Sequence, residues 1–282
     1  MNDTAGAARR MWTLFEPVHV VTYFTTEARA GFEAAGLRGF WRGYFAGRAA
    51  PLGRAGATLV TASFYNFAPQ MVARALPGAW DLATPEDALA ARSAGAVAAL
   101  RRLLGEQAVG LAAAADMLLR AADGLDCSGR VLAAANAALP VPAEPAARLW
   151  HAATLLREHR GDGHSAALLA ADIDGCEALV LRAGLDLSRE MLQPIRGWSD
   201  EEWDQAAARL ASRRWLGDDG RVTPEGAAAR QAVEDATDRA AARPWARLGA
   251  AATEDLAGLL APVARACAAE LPFPNPVGVP AP

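Results

Sequence analysis

Lysine is absent from this 282-residue chain, so all 28 basic residues are arginine. Alongside so much alanine, that bias reads as the imprint of a GC-rich genome, and a lone arginine therefore says little about a phosphate partner. Cysteine is scarce: Cys127, Cys176 and Cys267 lie far apart and form neither a CxxC pair nor a Cys-His ligand spacing. They read as buried thiols in a reducing compartment. No run of about 18 apolar residues is present, so a membrane span is not expected. The opening MNDTAGAARRMW lacks the apolar core of a signal peptide, and a cytoplasmic location is expected. Also missing are a G-x-S-x-G elbow, a P-loop and a G-x-G-x-x-G loop, which leaves no nucleophile or phosphate cradle to assign.

What remains is globular in composition: 52% hydrophobic, 21% charged, net charge −4. The length suits one large or two ordinary domains. Helix signals recur throughout, and the fold class is mainly α. Thr26-Glu27 opens a helix that stops at Gly36, another spans 39–49, and Pro69 leads one that Pro77-Gly78 ends. Thr84-Pro85-Glu86-Asp87 starts a helix reaching Leu104; further helices fit 107–121, 129–138, 146–159, 164–171 and 174–183. In 58–65 (TLVTASFY), β-branched and aromatic residues let a strand compete with helix, and the residues leave that choice open. PVPAEP (140–145) cannot continue a helix and is the boundary expected between an N-terminal helical bundle (1–139) and a second helical domain (146–270). The tail 271–282 is Pro-rich and is expected to lie extended or frayed.

Residues 197–240 read as a unit. Ser199 and Glu202 form a capping box, and Trp203, Ala206, Ala207 and Leu210 give the following helix one apolar face. GDDG (217–220) is turn chemistry, Arg221-Val222-Thr223 reads as a return strand, and Thr223-Pro224-Glu225 caps a new helix. The order in RLASRRWLGDDGRVTPEG (209–226) resembles the recognition helix, two-stranded wing and following helix of MarR-type winged-helix regulators. More widely, EPVHVVTYF (16–24), GFWRGYFAGRAAPLG (39–53), FYNFAP (64–69), HRGDGH (159–164), RGWSDEEW (196–203) and ARPWARLG (242–249) resemble an actinobacterial helix-turn-helix family. The resemblance implies a winged-helix fold and dimeric DNA binding, with Arg209, Arg213, Arg214 and Arg221 as the phosphate contacts. The charges argue against it. That helix opens with Asp200, Glu201, Glu202 and Asp204, and 196–243 holds eight Arg against ten Asp or Glu. A polyanion is poorly served by such a surface.

Ligand chemistry concentrates elsewhere. Phe40/Tyr44 and Trp41/Phe45 are four residues apart and share helix faces, and Arg38, Arg42, Arg48 and Arg54 interleave with them. An aromatic pocket with convergent cations suits a flat, partly anionic ligand; the plainer reading is an aromatic core rimmed by arginine stems. In HRGDGH, two glycines bracket a charged corner, where Asp162 would cap the next helix and Arg160 and His164 would meet a ligand. His19, set among apolar residues, reads as a core histidine or as a partner for a tetrapyrrole. No metal-ligand spacing is found.

The leading expectation is a non-catalytic small-molecule-binding protein, with a homodimer implied by the MarR-type resemblance, holding a flat aromatic or tetrapyrrole-like ligand. Its candidate residues are His19, Tyr23, Arg38, Trp41, Tyr44, Tyr65, Asn66, Arg160, Asp162 and His164. The rivals are a ligand-responsive DNA-binding regulator and an enzyme using His164 and Asp162 as acid and base.

Overall fold

The protein is described by a computed structural model over residues 4–105 and 110–280. It is mainly α, and no strand occurs among the described residues. The helices of the first half are α1 (Thr4–Phe24), α2 (Thr26–Ala34), α3 (Phe40–Ala49), α4 (Ala57–Phe64), α5 (Pro69–Ala73), α6 (Pro85–Leu104), α7 (Leu111–Ala122) and α8 (Val131–Ala137). They are followed by α9 (Pro145–Ala170), α10 (Gly175–Ala183), α11 (Arg189–Arg196), α12 (Asp200–Ser212), α13 (Pro224–Ala240), α14 (Arg243–Leu248) and α15 (Ala250–Ala268). Residues 107–109 of the expected 107–121 helix lie outside the described residues.

Local chemistry sets the ends. Thr84 and Asp87 close a reciprocal capping box at α6, as do Asp174 and Glu177 at α10 and Ser199 and Glu202 at α12. Residues 57–64 form a helix because Val60 and Phe64, four apart, are its buried pair. The strand alternative for 58–65 is thereby settled against.

One core gathers around α9. It joins Met11 and Phe15 of α1, Leu100 of α6, Leu118 of α7, Leu149 and Trp150 of α9, Trp245 of α14 and Leu256 and Leu260 of α15. It thus takes side chains from both sides of the 140–145 segment. A second core holds Phe45, Val60, Phe64, Phe67 and Trp80 of the aromatic helices, and a third packs α10, α11, α12 and α13 around Trp203. Buried on most sides, α9 carries Glu158, His159, Arg160 and Asp162 into the interior.

Two expected features differ. HRGDGH is not a corner: it lies inside α9, which runs unbroken through Gly161 and Gly163. Gly163 is there for close approach, since a Cβ would meet an Arg130 guanidinium nitrogen at 2.6 Å and the Ala240 Cβ at 3.3 Å. The two-stranded wing is reduced to a single bridge between Leu216 and Val222. Gly217–Gly220 already turns there, the Val222 amide bonds to the Gly184 carbonyl, and Thr223 caps α13, so no residues remain for a ladder. The tail is packed rather than frayed and turns at Asn275–Gly278, with Leu271, Asn275 and Val279 buried.

Candidate functional site

A buried polar chain runs between α1, α3 and α9. The Arg48 Nε and Nη2 groups each donate to a Glu158 oxygen at 3.0 Å, and Arg157 donates to Glu158 at 2.9 Å and to Glu16 at 3.3 Å. Burial alone would raise the Glu158 carboxyl, but the Arg157 and Arg48 guanidiniums prevail and hold it well below the usual carboxylate range. Burial pushes Glu16 upward, with Arg157 opposing. Alongside, the His19 ring bonds to Thr154 and to the Tyr23 hydroxyl, each at 3.0 Å, and burial keeps it neutral.

Two adjoining cavities open beside this chain, one of about 320 Å³ and one of about 210 Å³. They meet along Arg157, Gly161, His164 and Leu168 of α9. The larger is aromatic. It is walled by Trp41, Phe64 and Phe67 and by Tyr23, Tyr44 and Tyr65, the three tyrosines of the chain. Arg48, Arg157, Arg182 and Arg196 also line it. The smaller is polar, adding Arg9, Arg160 and Arg230 with Glu16 and Glu234. Pro276 and Val277 of the tail line both. Asn275 fixes that crossing, accepting from the Gly278 amide at 2.9 Å and donating to the Val279 carbonyl at 2.8 Å.

Most of these cations have internal partners. Arg160 pairs with Asp238 at 2.7 Å, Arg182 with Asp186 at 3.0 Å and Arg230 with Glu234 at 3.1 Å. Arg196 differs. No carboxylate pairs with it among the described residues, its guanidinium lies 4.6 Å from the Phe67 ring centre, and its Nε is buried without a hydrogen-bond partner. Burial lowers its pKa to about 10.

Residues 65–67 wall the cavity, and the segment 65–70 is the seat for the helices beyond. The Tyr65 hydroxyl donates to the Ile173 carbonyl at 2.6 Å, and the Ala68 amide donates to the Arg196 carbonyl at 2.9 Å. Trp198 Nε1 donates to the Asn66 carbonyl and Gln70 to the Gly197 carbonyl, both at 3.1 Å. Tyr65 itself sits at φ 62°, a left-handed conformation uncommon for an aromatic residue.

Of the residues expected from sequence, Tyr23, Trp41, Tyr44, Tyr65, Asn66, Arg160 and His164 are brought together around the cavities. Three are not. His19 lies behind Tyr23 with both ring nitrogens hydrogen-bonded, so it offers no open position to a tetrapyrrole iron. Arg38 is exposed in the loop ahead of α3. Asp162 caps no following helix; it accepts from the Ala133 amide of α8 at 2.9 Å, and burial raises it to about 6. His164 instead bonds Thr237 at 2.9 Å. The two cannot act as an acid–base pair, because residues two apart on a helix point to different sides. Sequence reasoning missed Arg157, Arg182, Arg196 and the tail, which come from four separated segments.

Beyond the cavity, α10, α11 and α12 pack around Cys176, Leu179, Leu192, Trp203 and Leu210, with the turn Gly197–Ser199 between α11 and α12. The front of α12 stays acidic. Arg189 is held by Asp200 and Asp204 at 2.8 and 2.7 Å, Arg209 by Glu177 at 2.8 Å, and Arg213 by Asp172 at 3.2 Å. Among the described residues no carboxylate pairs with Arg214 or Arg221. The chain matches a helix-turn-helix family over residues 8–274 and belongs to that family. No curated protein and no solved structure matches it. Among the described residues no helix is long and apolar enough to cross a membrane.

Proposed function

We propose that the protein is a ligand-responsive DNA-binding regulator, in which a small molecule held in the aromatic cavity acts on the α10–α12 module. Family membership supports the nucleic-acid half of this reading. The observation that carries the ligand half is the position of the cavity: residues 65–67 line it, and the segment 65–70 is hydrogen-bonded to Arg196, Gly197 and Trp198 where α11 turns into α12. A ligand that reorders this wall biases the module directly, which is the differential contact that allosteric coupling requires. The MarR-like order of helix, turn and capped helix belongs to the same proposal, with a two-fold dimer presenting two copies of α12.

The electrostatics limit how such a dimer binds. With Arg189, Arg209 and Arg213 neutralised internally, Arg214 and Arg221 of each subunit are left for phosphates. About four contacts per dimer give a slope of log affinity on log salt of roughly −3 to −4. Fluorescence anisotropy on DNA from the protein's own upstream region should show binding at low salt with that shallow slope. No binding at the lowest salt, at any protein concentration, would remove the regulator reading. A second reading is favoured by the acid front of α12: a non-catalytic ligand holder in which the module serves assembly. Absence of DNA binding together with retained ligand binding is its expected result.

A further inference from the structure

We infer that the aromatic cavity is a site for a small planar organic carboxylate whose carboxylate is bound by Arg196, the last residue of α11. The inference deepens the ligand half of the reading above and rests on it.

Three independent features of the cavity converge on this chemistry. First, its size of about 320 Å³ is at the small end of the roughly 300–1,000 Å³ typical of ligand sites, so the ligand is compact. Second, its walls are flat rings set against one another: Trp41 is nearly perpendicular to both Tyr44 and Phe67, at 79° and 75°. Rings so placed offer both face and edge to a planar body. Third, its charge is unbalanced. Arg48 and Arg157 share Glu158, and Arg182 has Asp186, whereas Arg196 has no acidic partner among the described residues.

An unpaired guanidinium in such a place calls for an anion. Its Nε is sealed from solvent without an acceptor, and the one bond formed by Nη1 is a long 3.4 Å contact with the Ile195 carbonyl. Buried donors left unmatched are costly, and the planar fork of an arginine is shaped to donate to both oxygens of a carboxylate. Stacking on Phe67 fixes the plane of that fork. Burial lowers its pKa only to about 10, so it stays charged near neutrality. Because its carbonyl receives the Ala68 amide, Arg196 joins the ligand to the loop and to α11 in one residue.

The test uses two probes of nearly equal shape, 2-naphthoate and 2-naphthamide, titrated calorimetrically into the full chain. The acid should bind at least about tenfold tighter than the neutral amide, the scale expected of a charge-assisted hydrogen bond. In Arg196→Gln that preference should fall to within about twofold through loss of acid binding, with amide binding unchanged; Arg196→Lys should keep part of it. Equal binding of the two probes by the native protein would overturn the inference, as would undiminished acid preference in Arg196→Gln, or no binding of either probe at millimolar concentration. The native acid–amide comparison holds even if the Gln variant fails to fold. DNA titration is read separately: DNA binding without naphthoate binding sinks the ligand class alone, and naphthoate binding without DNA binding sinks the regulator reading alone.

Discussion

All four histidines are held below their ordinary pKa by burial: His151, His159 and His164 to about 4, and His19 well below normal. Each is neutral in the folded chain and charges on unfolding. The stability this gives is complete above the unfolded value near 6.5 and is lost as pH falls toward 4. Asp162 acts in the opposite sense. Its carboxyl, raised to about 6 by burial, stabilises the fold below the unfolded value near 3.9 and loses that contribution as pH rises through about 6. The histidines outnumber it, so unfolding near pH 5 should take up roughly two to three protons. Urea midpoints measured from pH 7 to 4.5 should fall steadily; a flat profile would show that the histidines are solvated. At this scale the sequence was partly legible. The spacing of Trp41, Tyr44 and Phe45 announced an aromatic face, and the structure lines the cavity with Trp41 and Tyr44 while Phe45 fills the core behind. Arg196 could not be singled out, because in a chain whose every cation is arginine its distinction is the lack of a partner, which only packing reveals.

Between elements, the decisive join is the docking of residues 65–70 on α10 and on the α11–α12 turn. Gly175, the first residue of α10, lies so close that a Cβ would collide with the Tyr65 carbonyl. Gly175→Ala should therefore push the loop off its seat and destabilise the protein by about 1–3 kcal/mol, the usual cost of overpacking. Chemical denaturation checks this; a change under about 0.5 kcal/mol, the range of an ordinary surface substitution, would show that loop and module are not tightly joined. The capping boxes at 84–87 and 199–202 were readable because they are local. HRGDGH was not, because glycine marks either a turn or a close approach, and Gly163 serves the second beside Arg130 and Ala240. Likewise Asp-Gly turn chemistry at 217–220 suggested a wing, while the two flanking segments proved too short for more than one bridge.

Across the whole molecule, charge is sorted rather than spread. The chain carries −4 overall, yet among the described residues the larger cavity is lined by Arg48, Arg157, Arg182 and Arg196 and by no carboxylate, while the front of α12 carries Asp200, Glu201, Glu202 and Asp204. The anion proposed above would sit at the seam between the aromatic helices and the α10–α12 module, where one ligand can touch α3, α9, α11 and the tail together. The most direct measurement is native mass spectrometry of the protein isolated from its own host, run beside its Arg196→Gln variant. The native chain should carry a small organic acid at one per subunit, and the variant should lack it. A native chain found at its bare polypeptide mass, or a variant equally loaded, would contradict an anion-binding cavity anchored at Arg196.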